Sequence, residues 1–253
     1  MKRSRIGTLV ASIALTLATS AGTVSADEVR LMAVNALKEP LQELASGFER
    51  STGHKVVLIG GGTEGITKRI AGGEAADVVI VAAPNIDRLI ADGKLLAGTR
   101  TDVAKVGVGV AVRSGLPRPD VSSADAVKRA VLEAKSVAYS SGPSGFYLAE
   151  LFKRMGIADE IKGKVRQPES GVQVGELVAR GEADLGFQQV SELIHVKGID
   201  YLGPLPAEIQ NITTYSAALA PGARSPEAAK ALVKHLTAPD AAPVMRKAAL
   251  EPG

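Results

Sequence analysis

The 253 residues contain no cysteine and no tryptophan, and aromatic side chains make up 3% of the chain. Without cysteine there is no thiol nucleophile, no thiolate-bound metal and no disulfide, so a packed core must hold the fold unaided. A chain of this length can supply one. With so few aromatics, the stacking surfaces that grip single-stranded nucleic acid are missing. A tryptophan-lined sugar site is missing too. The imidazoles are His54, His195 and His235. They lie far apart, none has a second histidine at helical ligand spacing, and no metal site or cofactor is expected. Charge of one sign is also lacking. The chain has 30 Lys+Arg and 27 Asp+Glu, and the basic surplus is Lys2, Arg3 and Arg5. From residue 27 onward the signs balance, so nucleic acid is not an expected partner.

Long apolar runs are scarce. One follows the basic start, from Ile6 to about Ala18, and gives way to small residues ending Val24-Ser25-Ala26. A basic region, a short apolar run and small residues at −3 and −1 form the secretory signal pattern. The run is shorter than the roughly 20 residues a bilayer requires. Residues 1–26 are therefore expected to be a leader cleaved after Ala26, and the mature chain to be periplasmic.

From residue 27 onward strand and helix patterns alternate. VRLMAV (29–34) reads as a buried strand, and Leu37, Leu41, Leu44, Ala45 and Phe48 share one helix face. A strand at 55–59, a short helix ended by Gly72-Gly73, the buried strand ADVVIVAA (76–83) and the helix PNIDRLIADG continue the series. The β-rich run 103–115 has no helix directly after it. A second βα series follows, and a late apolar run at 213–222 again lacks an immediate helix. Two helices, 225–237 and 238–250, close the chain. This order predicts an α/β fold of two lobes, each a mostly parallel sheet flanked by helices. The boundaries read as 27–106 plus 214–253 for lobe 1 and 107–213 for lobe 2. The two helix-less runs would cross between the lobes, leaving a hinge and a cleft at the strand carboxyl ends.

The turns facing such a cleft are VNALKE, IGGGTEG, VAAPN, YSSGPSG and GFQQVS. All are small, hydroxylated or amide-bearing, and three run straight into a helix. A helix N-terminus offers unpaired N–H groups and about half a positive charge. Several converging on a cleft bind an anion without a cationic side chain. Ordinary capping is the competing explanation, since Thr63, Ser144 and Ser170 are all good N-caps. A serine nucleophile at Ser144 is disfavoured, because Gly142-Pro143-Ser144-Gly145-Phe146 lacks the last glycine of the elbow. GGGTEG lacks the Lys-Ser/Thr ending of a phosphate loop. Glu64 is either a solvent-facing first-turn acid or a general base. Gln188 and Gln189 can donate or accept, or simply open a polar helix.

At these loops the chain resembles the periplasmic solute-binding proteins of ABC transporters, with the molybdate/tungstate-binding group as the nearest pattern. The resemblance is clearest over LKEPLQELASGFERSTGHKVVL, GITKRIAGGEAADVVIVAAPNIDRLIADG and LVARGEADLGFQQVSEL. It implies a type II two-lobed binding protein in the periplasm, with an inner-membrane ABC permease as partner; a monomer is expected. Carried over position by position, the family's first-loop serine falls at Ala36, preceded by Asn35. Its second-loop serine falls at Thr63, and its backbone donor at Ala82. YSSGPSG matches in place but not in sequence, and contributes Ser140, Ser141, Ser144 and Gly145. The family's tyrosine is Gln189 here. Losing a hydroxyl while gaining amides and serines suits a planar, carboxylate-bearing ligand better than molybdate. A related branch, the aconitate isomerase type of periplasmic protein, is similar in overall pattern. The leading expectation is a carrier that captures a small oxyanion or carboxylate for the transporter; the alternative is that this branch's chemistry applies, moving a double bond by proton transfer in the same cleft, with Glu64 as the base.

Overall fold

The computed structural model describes residues 26–253. The leader read at residues 1–26 therefore lies, all but Ala26, outside the described residues. Strand β1 (Glu28–Val34) passes through a 3-10 turn (Asn35–Leu37) into α1 (Lys38–Thr52). Then come β2 (Lys55–Gly61), α2 (Thr63–Ala71), β3 (Val78–Ala82) and α3 (Ala83–Ala91). The long β4 (Thr101–Arg113) is followed by α4 (Ala124–Glu133), β5 (Val137–Tyr139), α5 (Pro143–Arg154), α6 (Ala158–Ile161) and β6 (Val165–Arg166). Next are α7 (Val174–Ala179), β7 (Leu185–Gln189), α8 (Val190–Leu193), β8 (Ile199–Pro204) and β9 (Ile212–Leu219). The chain closes with α9 (Pro226–Leu236), α10 (Ala242–Lys247) and β10 (Glu251–Pro252).

The strands form two mixed sheets that share β4. The first runs β2-β1-β3-β9-β4, with β10 also on β4, and the second runs β4-β7-β5-β6, with β8 also on β4. Strands β1–β3 are mutually parallel, as are β5–β7, while β4 and β9 run antiparallel to their neighbours. The antiparallel members are the two helix-less runs. A strand that does not return through a crossover helix is free to enter a sheet in the opposite sense.

Strand β4 belongs to both sheets. Its residues up to Gly107 pair with β9, and from Val108 onward they pair with β7. Val106 packs into a core with Leu31, Phe48, Ile80, Ile86 and Leu232. Two residues on, Val108 packs into a second core with Val110, Leu148, Phe152 and Phe187. Each such large side chain contributes about 1.5–3 kcal/mol on burial. The second crossing lies just ahead of β9, which itself stays in the first sheet. There the Gln210 side chain clamps β4: Oε1 accepts from Val108 N at 2.8 Å and Nε2 donates to Val108 O at 3.0 Å. Gly107 leaves room for this amide, since a Cβ there would lie 3.0 Å from its carbon. The two chain passages between the lobes are thus joined by one side chain. Among the described residues no helix is long and apolar enough to cross a membrane.

Candidate functional site

Between the sheets, strand ends from both lobes enclose a cavity of about 40 Å³. The first lobe contributes Val34–Ala36 after β1 and Gly61–Thr63 at the start of α2. The second contributes Ser140–Ser144 leading into the first turn of α5, the segment Glu169–Val172, and Gln188, Gln189 and Glu192 around the β7–α8 junction. Tyr215 from β9 completes the lining. No lysine or arginine lines it; Glu169 and Glu192 are its charged groups.

The serine loop is organised around α5. Ser140 Oγ lies 2.9 Å from Ser144 Oγ and also accepts from Gly142 N at 3.3 Å. Ser141 Oγ is buried and has no partner. Gln189 Nε2 donates to Thr213 Oγ1 at 2.9 Å, while its Oε1 is buried and unpartnered. Gln188 Oε1 accepts from Val174 N at 2.8 Å and Gly175 N at 3.3 Å. A polar atom left unmatched in such a place is costly unless a ligand or water satisfies it.

Glu192 is the acidic group built into the floor. Desolvation pushes its carboxyl up to about 7, against the opposing pull of the Gln188 amide. The residue is half-buried overall and lines the cavity. The phenol of Tyr215 is raised as well, first by burial and then by the nearby Glu192 charge. It stays neutral at any ordinary pH.

A strap crosses the cleft. Residues 167–173 leave β6 and run over the first lobe before entering α7. Ser170 Oγ accepts from Gly65 N at 3.3 Å, so it caps α2 from the opposite lobe. Asn35 Nδ2 donates to Gly171 O at 3.0 Å. Gly171 has φ +92°, and a Cβ there would lie 3.2 Å from Gly62 N. The strap and the α2 turn approach this closely because both sides are glycine.

A family model for bacterial extracellular solute-binding proteins matches residues 29–250. The chain belongs to this family. Over 218 residues it is 40% identical to a protein named aconitate isomerase from Pseudomonas sp., covering 84% of this chain and 83% of that one. It is 28% identical over 240 residues to the molybdate-binding protein ModA of Azotobacter vinelandii, covering 92% of this chain and 94% of that one. The solved Azotobacter vinelandii periplasmic molybdate-binding protein superposes with a TM-score of 0.75 at 20% identity, covering 88% of this chain and 98% of that one. That likeness establishes the two-lobed α/β fold.

Within this family member the residues singled out from sequence divide into two groups. Asn35, Ala36, Thr63, Ser140, Ser141, Ser144 and Gln189 all line the cavity. Asn35 does so with its amide NH2 already engaged by the strap. Ala82, Gly145 and Glu64 are not in the lining. Ala82 ends β3, buried and paired with Tyr215. Gly145 is a packing glycine: a Cβ would lie 2.5 Å from the Ser140 carbonyl carbon. Glu64 accepts from Asn85 Nδ2 at 3.1 Å on α3. A helix turns 100° per residue, so Thr63 toward the cleft sends Glu64 to the neighbouring helix. The caps also differ from expectation. Gly62 and Gly142 occupy the N-cap positions of α2 and α5, and Ser170 caps α2 rather than α7. Sequence reasoning missed Glu192, Glu169, Gly171 and Tyr215. The only available signal was an acidic residue three positions after the polar end of a buried strand.

Proposed function

We propose that this chain binds a small polycarboxylate of the aconitate kind between its lobes and interconverts the cis and trans forms by proton transfer through Glu192. The observation that carries this reading is Glu192 itself, a cleft carboxyl raised to about 7 among hydroxyls, amides and helix starts. The 40%-identical relative named aconitate isomerase supports it. The ionised carboxylate takes a proton from the substrate CH2 adjacent to the double bond. The C=C electrons shift by one carbon, and the protonated Glu192 returns the proton to the far end. Nothing is gained or lost overall, and the returning proton fixes the new geometry. A group that titrates near neutrality supplies both forms, and acid–base catalysis of this kind contributes about 10²–10⁴-fold. Negative charge that develops on a substrate carboxylate during the shift meets Thr63, Ser144 and the first N–H groups of α2 and α5. Glu192 thereby takes the role that the sequence suggested for Glu64.

The lobes in this reading comprise 27–106 with 214–253, and 107–213, hinged where Gly107–Val108 meets Gln210. The leader exports the chain to the periplasm, where it acts as a monomer. A second reading, capture of a compact oxyanion for an inner-membrane ABC permease, is favoured by the small cavity of about 40 Å³ and by the ModA relative. Mixing the purified protein with cis- or trans-aconitate and following ultraviolet absorbance separates the two. Catalysed interconversion supports the isomerase. No turnover, together with a melting temperature raised by molybdate but not by aconitate, sinks it in favour of the carrier.

A further inference from the structure

Gln189, at the end of β7, is a buried amide, 1% exposed, that lines the cavity. Its Nε2 donates to Thr213 Oγ1 at 2.9 Å. Thr213 and Tyr215 lie two apart on β9 and so share one face of that strand. The Gln189 amide is also the neighbour that opposes the raising of the Tyr215 phenol, as an N–H donor does. Its NH2 group is therefore committed to β9. The oxygen, on the other branch of the planar amide, is buried without a partner. A carbonyl oxygen can only accept. Left empty inside a cavity, it costs free energy until a group bearing a proton reaches it. A fully ionised carboxylate or oxyanion has no proton to offer and would meet it lone pair to lone pair. The charges around the cavity act in the same direction. Its titratable side chains are Glu169 on the strap, Glu192 on α8 and Tyr215 on β9, with no lysine or arginine. A ligand that keeps one of its protons brings one negative charge fewer into this setting.

We propose that Gln189 is a specificity-determining residue whose oxygen accepts a hydrogen bond from an O–H group of the ligand, so that the cleft takes a polycarboxylic acid with one carboxyl still protonated. A tricarboxylic acid binds as the dianion. Its carboxylates meet the hydroxyls and helix starts, and its remaining carboxyl O–H donates to Gln189 Oε1. Among inorganic anions the same oxygen favours one that keeps a proton, such as hydrogen phosphate, over sulfate or molybdate. A buried polar group shaped for a ligand O–H discriminates strongly against an analogue that lacks it. This inference rests on the reading of the cavity as the ligand site, but it does not require Glu192 to catalyse anything.

Calorimetry in buffers of different ionisation enthalpy counts the protons taken up with the ligand. The count is made on Glu192→Gln, which removes the cleft acid that titrates near neutrality, with cis-aconitate at a pH where the free acid is fully ionised. Uptake of about one proton per ligand is expected, with affinity falling about tenfold for each further pH unit. Adding Gln189→Met, which removes the acceptor without adding charge, should bring the uptake close to zero, or abolish binding in a chain that still melts cooperatively. Uptake near zero before that change would overturn the proposal. It is the result expected if a water satisfies Oε1, or if the amide turns its NH2 group to the ligand. Uptake that survives Gln189→Met would assign the proton to Glu169 and would overturn it as well. A second arm uses the unaltered chain: inorganic phosphate should bind about a hundredfold more tightly than sulfate or molybdate. Equal affinity for the three, a preference for sulfate or molybdate, or binding of none of these ligands would count against the proposal. Turnover of aconitate is a separate readout. Proton uptake without turnover leaves Gln189 this role and sinks only the isomerase reading, whereas turnover without proton uptake sinks this inference alone.

Discussion

Gly62→Ala isolates the contact between the strap and the first lobe. Gly62 has φ −85° and ψ 157°, an extended conformation that alanine adopts freely, so the substitution introduces no backbone strain. What it introduces is a methyl group that overlaps Ser170 Oγ and lies 2.6 Å from Gly171 N. Gly171 N is backbone and cannot swing aside, so the strap must lift. Lifting it breaks the Gly65 N–Ser170 Oγ and Asn35 Nδ2–Gly171 O bonds. Each is worth about 0.5–1.5 kcal/mol net. The closed form should therefore lose about 1–3 kcal/mol, which is about 5- to 150-fold in ligand affinity. The methyl group meets only the strap, so any fall in the ligand-free melting temperature should be no larger than the loss of these two bonds. Isothermal titration with cis-aconitate, beside a melting curve without ligand, measures the two quantities together. Affinity equal to that of the unaltered chain would show that the strap takes no part in closing the cleft.

Other substitutions probe the rest of the site. Folding favours the protonated form of Glu192, so stability should fall as pH rises from the ordinary 4.5 toward about 7 and then level off. Melting curves across that window should flatten in Glu192→Gln. Ser144→Ala removes the partner 2.9 Å from Ser140 Oγ inside the cavity, and should weaken anion binding by about 1–3 kcal/mol in a titration. Gly145→Ala drives a methyl group into the Ser140 carbonyl and should destabilise the fold by about 1–3 kcal/mol in urea unfolding, the signature of a packing role. Phe152→Ala, at the centre of the second core between Tyr139 and Phe187, should cost about 3–5 kcal/mol in the same assay.

The parts of this molecule that sequence reveals are those with strong periodicity. β3 is a run of buried β-branched residues, β1 and β7 are short, largely buried and mostly apolar, and α1, α5 and α9 carry apolar stripes, so each is legible. β8 is not, because its residues are half-buried and lack a repeating pattern. β10, two residues long, offers no pattern at all. The loops that build the cleft were legible by position after strands, which placed Thr63, Ser144 and Gln189 in one cavity. Direction within a loop was not. Glu64 and Glu192 both sit near the start of a helix after a strand. One turns toward Asn85 and the other toward the cavity, and only the packing of α2 against α3 decides this. The strap was invisible because QPESGVQ has no apolar repeat; its role comes from bonds spanning 105 and 136 residues of sequence.

In the proposed reaction a cleft carboxyl moves a proton on a ligand held by neutral donors. Comparing Glu192→Gln with the unaltered chain, for both binding of cis-aconitate by calorimetry and its conversion by absorbance, examines that directly. Retained or tightened binding with conversion reduced by about a hundredfold or more is the predicted result. Conversion at the original rate in the variant would contradict it.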